Sequence, residues 1–213
     1  MKNRITIDPI TRLEGHGKIE IFLDKEGGVE NVYFQVPELR GFEKFCENRP
    51  VEELSQIVTK ICVLCPGCHH MASGKAADAV FGLTLPPTAA KLRELFYMAH
   101  FVHSHIAHFY ALAAPDFVLG PDADPAARNI LGVIDKVGLE IGGEVIKQRR
   151  IAQEIQALLG GHQTHVVMNI PGGVRKRLST DERHQIIKKA EGLVEIAKFT
   201  LKKIYDEVQS NKK

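Results

Sequence analysis

Cys62 and Cys65 lie in the run Lys60-Ile61-Cys62-Val63-Leu64-Cys65-Pro66-Gly67-Cys68-His69-His70. Two thiolates separated by two residues can converge on one soft metal ion, and a histidine close behind offers an imidazole. A closed tetrahedral site needs four such donors, yet no cysteine follows Cys68. Either Cys68, His69 or Cys46 completes the set locally, or these residues form half of a larger one. Zinc held by Cys62, Cys65, Cys68 and a histidine is sterically awkward, because zinc sites usually join two separated ligand pairs. An iron–sulfur cluster needs a fourth thiolate. Cys46 is the one available, although a lone helical cysteine is more often a small buried apolar residue. Three cysteines packed in a core without metal is the remaining reading.

Four histidines, His100, His103, His105 and His108, include pairs three residues apart that can hold a metal. They fall on a long apolar helical pattern, where packing or surface histidines are the commoner case, and they are not assigned as ligands. The net charge of +2 gives no electrostatic case for nucleic acid or an anionic membrane. Basic residues gather late in the chain, at Arg175, Lys176, Arg177, Lys188, Lys189, Lys202, Lys203, Lys212 and Lys213. Acids interleave with them at helical spacing, which describes a solvated face. Hydrophobic residues make up 44% and charged residues 25% of the 213 positions, ordinary for a soluble globular protein that can bury a real core. Three of the four cysteines crowd into Cys62–Cys68, which suits metal ligands in a reducing compartment better than a disulfide framework. Met1-Lys2-Asn3-Arg4 shows no signal-peptide pattern. No apolar run reaches the roughly 18 residues of a membrane span. A cytoplasmic protein is expected.

The elements that must position these residues can be read from period and punctuation. Arg4 to Asp8 alternates, and Lys18 to Leu23 and Val29 to Val36 are β-branched and aromatic runs joined by Asp24-Lys25-Glu26-Gly27-Gly28, which predicts an antiparallel hairpin. Pro50-Val51-Glu52-Glu53 opens a helix with acids in its first turn. Met71 to Val80 reads as a closely packed helix. Pro86-Pro87-Thr88 opens a long helix to Ala113, apolar over a wide arc and therefore central. Pro115, Gly120, Pro121 and Pro125 break the pattern. Another helix is expected from Pro125 to about Leu159, ending at Gly160-Gly161. A last one begins at Ser179 or Thr180 with a capping box through Glu182 and runs to about Val208. The expected fold class is α+β and mostly helical: a small antiparallel sheet, then a helical bundle around residues 87–113. The whole reads as a single region, with a β-rich lobe at 1–37 and a helical part at 38–213.

Several motifs occur in a fixed order. They are Asp8-Pro9-Ile10-Thr11-Arg12-Leu13-Glu14-Gly15-His16-Gly17-Lys18-Ile19-Glu20, Leu39-Arg40-Gly41-Phe42-Glu43, and Ile61-Cys62-x2-Cys65-x3-His69-x2-Ala72-Ser73. Leu92-Arg93-Glu94-Leu95, His108 to Asp116, Gly160-Gly161 and Pro171-Gly172-Gly173-Val174 follow. Together these resemble the N-terminal half of the large, catalytic subunit of nickel–iron hydrogenases. Several motifs in order make a specific signal, where a lone Cys-x2-Cys is weak. The stretch from His105 to Pro125 is closest in texture to the cytoplasmic methanogen-type enzymes linked to heterodisulfide reductase.

The resemblance implies reversible heterolytic oxidation of H2, with Cys62 a terminal thiolate on nickel. Cys65 would bridge nickel to an iron carrying CO and CN ligands. His69 would hydrogen-bond near the bridging sulfur, and Glu14 would relay the proton released on cleavage. Glu43 would bind a structural magnesium through a hard oxygen, and Asp116, near the metal pocket, would orient an arginine from the half that lies outside these residues. Iron–sulfur clusters would reside only in a small partner subunit covering the face near Arg12–His16 and Cys62–His69, with a heterodisulfide-reductase-type complex beyond it. Departures from the family pattern are Lys60 for arginine, Val63 for glycine, where a branched side chain would crowd the site, the additional thiol of Cys68, and His162 with His165-Val166. The family's second Cys-x2-Cys is absent, so this chain alone is expected not to turn over hydrogen. The competing readings are a catalytically incomplete scaffold subunit of an electron-transfer complex, and a small zinc or iron–sulfur binding protein.

Overall fold

Alternation of side chains explains the first element group. In the computed structural model, which describes residues 3–210, strands β1 (Arg4–Ile7), β2 (Lys18–Leu23) and β3 (Val29–Gln35) form an antiparallel sheet in the order β1-β2-β3. Lys212 and Lys213, grouped above with the basic residues, and Met1 and Lys2 lie outside the described residues. Register pairs Ile5 with Ile21, Ile21 with Val32, Ile7 with Ile19 and Ile19 with Phe34, so one face is apolar. The other face carries the polar set. Glu20 receives Arg4 at 3.3 Å and Lys18 at 3.2 Å there. The β2–β3 turn is fixed by Asp24 Oδ1, which accepts from the backbone N–H of Glu26 (2.9 Å) and Gly28 (2.7 Å). The expected hairpin is present, and β1 extends it to three strands.

The chain separates into two compact units, residues up to Phe45 and residues from Cys46 onward. Helix α1 (Phe42–Cys46) lies at the boundary. The second unit opens with α2 (Val51–Ile57), whose first turn holds Glu52 and Glu53, followed by a 3-10 turn at Val58–Lys60. Helix α3 spans Pro66–Val80, starting five residues before the expected Met71. Pro66 explains this, because proline at the first helical turn gives up an N–H that has no intrahelical partner.

Helix α4 (Pro87–Ala107) is the central one, and the helical path does not break at Pro115 as expected. A π-helical turn at His108–Ala113 leads straight into α5 (Ala114–Leu119). Proline inside a helix clashes with the carbonyl four residues back, and a widened turn relieves that clash without breaking the rod. The single helix expected over 125–159 is two, α6 (Ile130–Val137) and α7 (Leu139–Gly160). The Asn129 side chain caps α6 by accepting from Leu131 N–H (2.8 Å) and Gly132 N–H (3.2 Å). Gly138, at φ +93°, separates the two helices. Gly161, at φ +84°, ends α7 as expected.

A short ribbon, β4 (Asn169–Ile170) with β5 (Gly173–Val174), precedes α8 (Thr180–Ser210). The capping box is reciprocal: Ser179 Oγ accepts from Glu182 N–H (3.2 Å), and Glu182 Oε2 accepts from Ser179 N–H (2.9 Å). Lys198–Glu195 and Lys202–Asp206 pair along the exposed face of α8, as a solvated face requires, whereas half-buried Lys189 reaches Glu154 of α7 and Lys176 reaches Glu182.

The apolar core joins Phe96 and Ala99 of α4, Ala152, Ile155 and Leu159 of α7, Val166, Met168, and Ile186 and Leu193 of α8. Two polar groups are built into it. Arg93, 2% exposed, meets Asp78 of α3 at 2.5 Å and bonds the carbonyls of Ile170 (2.8 Å) and Gly173 (2.8 Å). Burial alone would raise the Asp78 pKa, but the Arg93 hydrogen bond and the Gly172 N–H outweigh it and hold the carboxyl below its ordinary range. His100 and His103 of α4 are also buried, His103 Nε2 lying 3.0 Å from His100 Nδ1. Burial first, then His100 and Arg149, push the His103 pKa down to about 3.

Two stability predictions result. Arg93→Met leaves Asp78 as a buried charge without its partner and should cost about 3–5 kcal/mol in urea unfolding. A loss under about 1 kcal/mol would show that the pair is dispensable. For His103, the unfolded chain binds a proton below about pH 6.5 that the folded chain refuses until about pH 3. Stability is therefore complete above pH 6.5 and falls as pH drops from there. Between pH 7.5 and 4.5 this group should remove roughly 2–3 kcal/mol. His103→Gln should flatten that part of the pH dependence, and an unchanged slope in this variant would contradict the assignment.

Candidate metal centre

The chain between the 3-10 turn and α3 carries Cys62 and Cys65, and α3 begins with Cys65 as its capping residue. Cys65 N–H donates to Cys62 Sγ at 3.2 Å, curling the four-residue loop so that both sulfurs fall on one side. Cys65 O then accepts the first helical bonds, from Cys68 N–H (3.1 Å) and His69 N–H (3.4 Å). One turn into α3, His69 stands over the same side. The two sulfurs and one nitrogen of His69 all lie within 4.8 Å of one another, with Cys62 buried and the other two half-buried. Among the described residues this is the group of histidine, cysteine and acidic donors that can share an ion. Two soft thiolates and one imidazole fit nickel, iron or zinc and do not fit magnesium or calcium.

Cys68 is not one of the three. Its sulfur faces α4, 3.3 Å from His100 Nε2, and accepts from the Tyr97 hydroxyl at 3.6 Å. That hydrogen bond, then burial, then the neighbouring charges of Cys68 and Cys65 raise the Tyr97 pKa above its ordinary value. Cys46 closes α1 and is absent from the converging group. A tetrahedral zinc set using Cys62, Cys65 and Cys68 together is therefore not formed. Val63, between the two cysteines, is 72% exposed in this chain.

Of the other residues singled out, Glu14 is exposed in the β1–β2 loop, between Arg12 at φ +54° and Gly15 at φ +81°. Lys18 pairs with Asp8 (3.6 Å) and Glu20 (3.2 Å). In the same lobe His16 Nδ1 sits 2.7 Å from Glu38 Oε1, and that hydrogen bond lowers the Glu38 pKa. Glu43 accepts from Arg40 (2.5 Å) and Gly41 N–H (3.3 Å). Its own backbone N–H, then Arg40, keep it ionised below the usual carboxylate range. Asp116, in the first turn of α5, lies 3.5 Å from Arg128 Nε. The arginine it meets here thus belongs to this chain.

Two histidines to which the sequence assigns no role, although His165 stands out as a departure from the family pattern, bond to the segment leading to Cys62. His70 is fully buried, with Nδ1 2.9 Å from Ser55 O and Nε2 receiving the N–H groups of Met168 (3.0 Å) and Asn169 (2.8 Å). His165, at φ +51°, places Nδ1 2.9 Å from Thr59 O. No helix is long and apolar enough to cross a membrane among the described residues.

Known proteins resemble this chain over most of its length. A family model described as nickel-dependent hydrogenase matches residues 40–129, and one described as HoxL-like matches residues 4–39. The chain is 50% identical over 195 residues to a subunit of the F420-non-reducing hydrogenase vhu of Methanocaldococcus jannaschii, covering 92% of this chain and 46% of that protein. It is 36% identical over 202 residues to the NAD-reducing hydrogenase HoxS subunit beta of Cupriavidus necator, covering 92% and 41%. A crystal structure of an NAD+-reducing nickel–iron hydrogenase in the H2-reduced state superposes with a TM-score of 0.82 at 38% identity, over 96% of this chain and 46% of that one. The chain thus spans less than half the length of these relatives. With motifs, fold and relatives in agreement, the chain belongs to the nickel-dependent hydrogenase family.

Proposed function

We propose that this chain is part of a nickel–iron hydrogenase catalytic subunit that oxidises H2 reversibly and passes electrons to an iron–sulfur partner subunit. The observation that carries the reading is the convergence of Cys62, Cys65 and His69 in a chain 50% identical to a hydrogenase subunit. Cys62 and Cys65 would hold nickel through their thiolates, with Cys65 also offering its sulfur to iron. Bound there, the metals would supply the electron-accepting chemistry for heterolytic H2 cleavage. His69 donates a hydrogen bond that steadies the bridging sulfur. Glu14 takes the released proton outward, as a positioned carboxylate can. Glu43, kept ionised by Arg40, offers a hard oxygen to magnesium. Asp116, which lies 3.5 Å from Arg128 Nε in this chain, would orient an arginine from outside these residues beside the pocket.

Two thiolates make one side of the centre. No cysteine follows Cys68, so the other thiolates come from outside these 213 residues, and this chain alone does not turn over hydrogen. The one-region organisation, the cytoplasmic setting and an electron route toward a heterodisulfide-reductase-type complex belong to the same proposal. Metal analysis of the natively purified assembly tests it: nickel with iron supports the reading, and zinc alone or no metal overturns it.

Two variants of the assembled enzyme separate the roles. Cys65→Ser should lose nickel, because a hard neutral hydroxyl is a poor replacement for a bridging thiolate. Glu14→Gln should retain nickel and slow turnover by about 10²–10⁴-fold, since the amide keeps the shape but cannot accept the proton. Hydrogen turnover at the wild-type rate in Glu14→Gln would remove Glu14 from the proton path.

A further inference from the structure

We propose that His70 is a positioning residue that sets the separation of Cys62 and Cys65 through the bond from its Nδ1 to the carbonyl of Ser55. The inference rests on the reading of Cys62 and Cys65 as metal ligands.

The loop that holds the two cysteines has no regular structure of its own, so its span is set by the elements on either side. Cys62 is delivered by α2 and the 3-10 turn, while Cys65 and His69 are delivered by α3. Anything that slides α2 along α3 changes the bite of the two sulfurs. His70 is the side chain of α3 that ties them. Its two backbone donors from Met168 and Asn169 converge on Nε2, at 3.0 and 2.8 Å, so Nε2 must carry the lone pair. Nδ1 therefore carries the proton and donates to Ser55 O at 2.9 Å. One edge of the ring holds α2. The other is anchored in the chain entering β4.

That anchor is itself closely fitted. Asn169 Nδ2 reaches His70 O and Met71 Sδ, both at 3.3 Å. A Cβ at position 74 would lie 2.6 Å from that amide nitrogen, so Gly74 is what lets Asn169 close on α3. The chain leading to Met168 also carries His165, whose Nδ1 sits 2.9 Å from Thr59 O, one turn beyond Ser55. Two imidazoles thus grip carbonyls four residues apart in the segment that leads to Cys62. Metal–thiolate geometry is sharp, and groups that orient ligands in this way typically change metal affinity by about 10–100-fold when lost.

The two edges of the ring can be tested separately in the 213-residue chain, with Co²⁺ as probe and the thiolate-to-cobalt charge-transfer band as readout. His70→Gln puts an amide at the ε position, meets the Met168 and Asn169 N–H groups, and leaves Ser55 O without its donor. His70→Asn keeps a donor at the δ position and abandons the two N–H groups. The expected result is that His70→Gln binds Co²⁺ at least 10-fold more weakly, with shifted ligand-field bands. His70→Asn should bind within a few-fold of wild type while unfolding at lower urea concentration. A purely structural histidine would make affinity follow stability, which reverses that order. Wild-type affinity in His70→Gln overturns the proposal, and so does an equal loss in a folded His70→Asn. If His70→Asn does not fold, His70→Gln decides alone. A wild-type chain without a charge-transfer band also overturns it, because a set already held at chelating distance must take the ion. Absence of nickel and iron from the native assembly would instead sink the hydrogenase reading and leave the cobalt series standing.

Discussion

A single buried guanidinium organises the second unit. Arg93 on α4 forms a two-pronged contact with Asp78 on α3, at 2.5 and 3.3 Å, and its remaining hydrogens go to the carbonyls of Ile170 and Gly173. Asp78 Oδ1 also accepts the Gly172 N–H at 2.7 Å. Burying both charges is expensive, and it is tolerated because nearly every donor and lone pair is matched. The C-terminal end of α3, the middle of α4 and the β4–β5 ribbon are thereby locked to one another. At its other end α3 meets α4 again, where Cys68 touches His100 and a Cβ on Gly67 would come within 2.7 Å of His100 Nδ1. Glycine is required there by closeness of approach. With both ends of α3 fixed, the position of Cys65 at its start is decided by the core and not by the loop.

How far the sequence could be read depends on whether the information is local. The capping box at Ser179–Glu182, the stop at Gly161, the Asp24–Gly28 turn and the apolar arc of α4 are each written in a few adjacent residues, and each is found in the structure. The break at Gly138 is not legible, because a helical glycine and a positive-φ glycine look alike until the backbone is seen. The helix through Pro115 is hidden in the same way, because the π turn that accommodates proline has no sequence signature of its own. The site divides along the same line. Cys62, Cys65 and His69 converge because their spacing matches one loop and one helical turn. His70 and His165 act between segments far apart in the chain, and nothing beside either residue announces a partner at Ser55 O or Thr59 O.

The departures from the family pattern also have different physical weights. Val63 lies largely in solvent in this chain. His165 is the more consequential one: a non-glycine residue at positive φ that makes a specific bond to the Cys62 segment. Cys68, the additional thiol, is drawn away from the converging donors by two partners on α4. The extra sulfur therefore extends a polar cluster between helices and leaves the soft-metal set at two thiolates and an imidazole.

That cluster has a preferred direction of hydrogen bonding. His100 Nε2 faces Cys68 Sγ at 3.3 Å, and His100 Nδ1 faces His103 Nε2 at 3.0 Å. Burial, as the leading cause, lowers the pKa of both rings, so each is neutral with one donor and one acceptor. If Cys68 donated to His100, the proton on His103 Nδ1 would be a buried donor without a partner among the described residues. If His103 Nε2 donates to His100, then His100 donates to Cys68, and His103 Nδ1 is left as a lone pair. An unsatisfied buried acceptor is better tolerated than an unsatisfied buried donor. Tyr97 also donates to the Cys68 sulfur, and His100 has a further side-chain hydrogen bond to Gln156. Two side chains of α4 on one sulfur keep α3 seated on α4 three residues beyond Cys65.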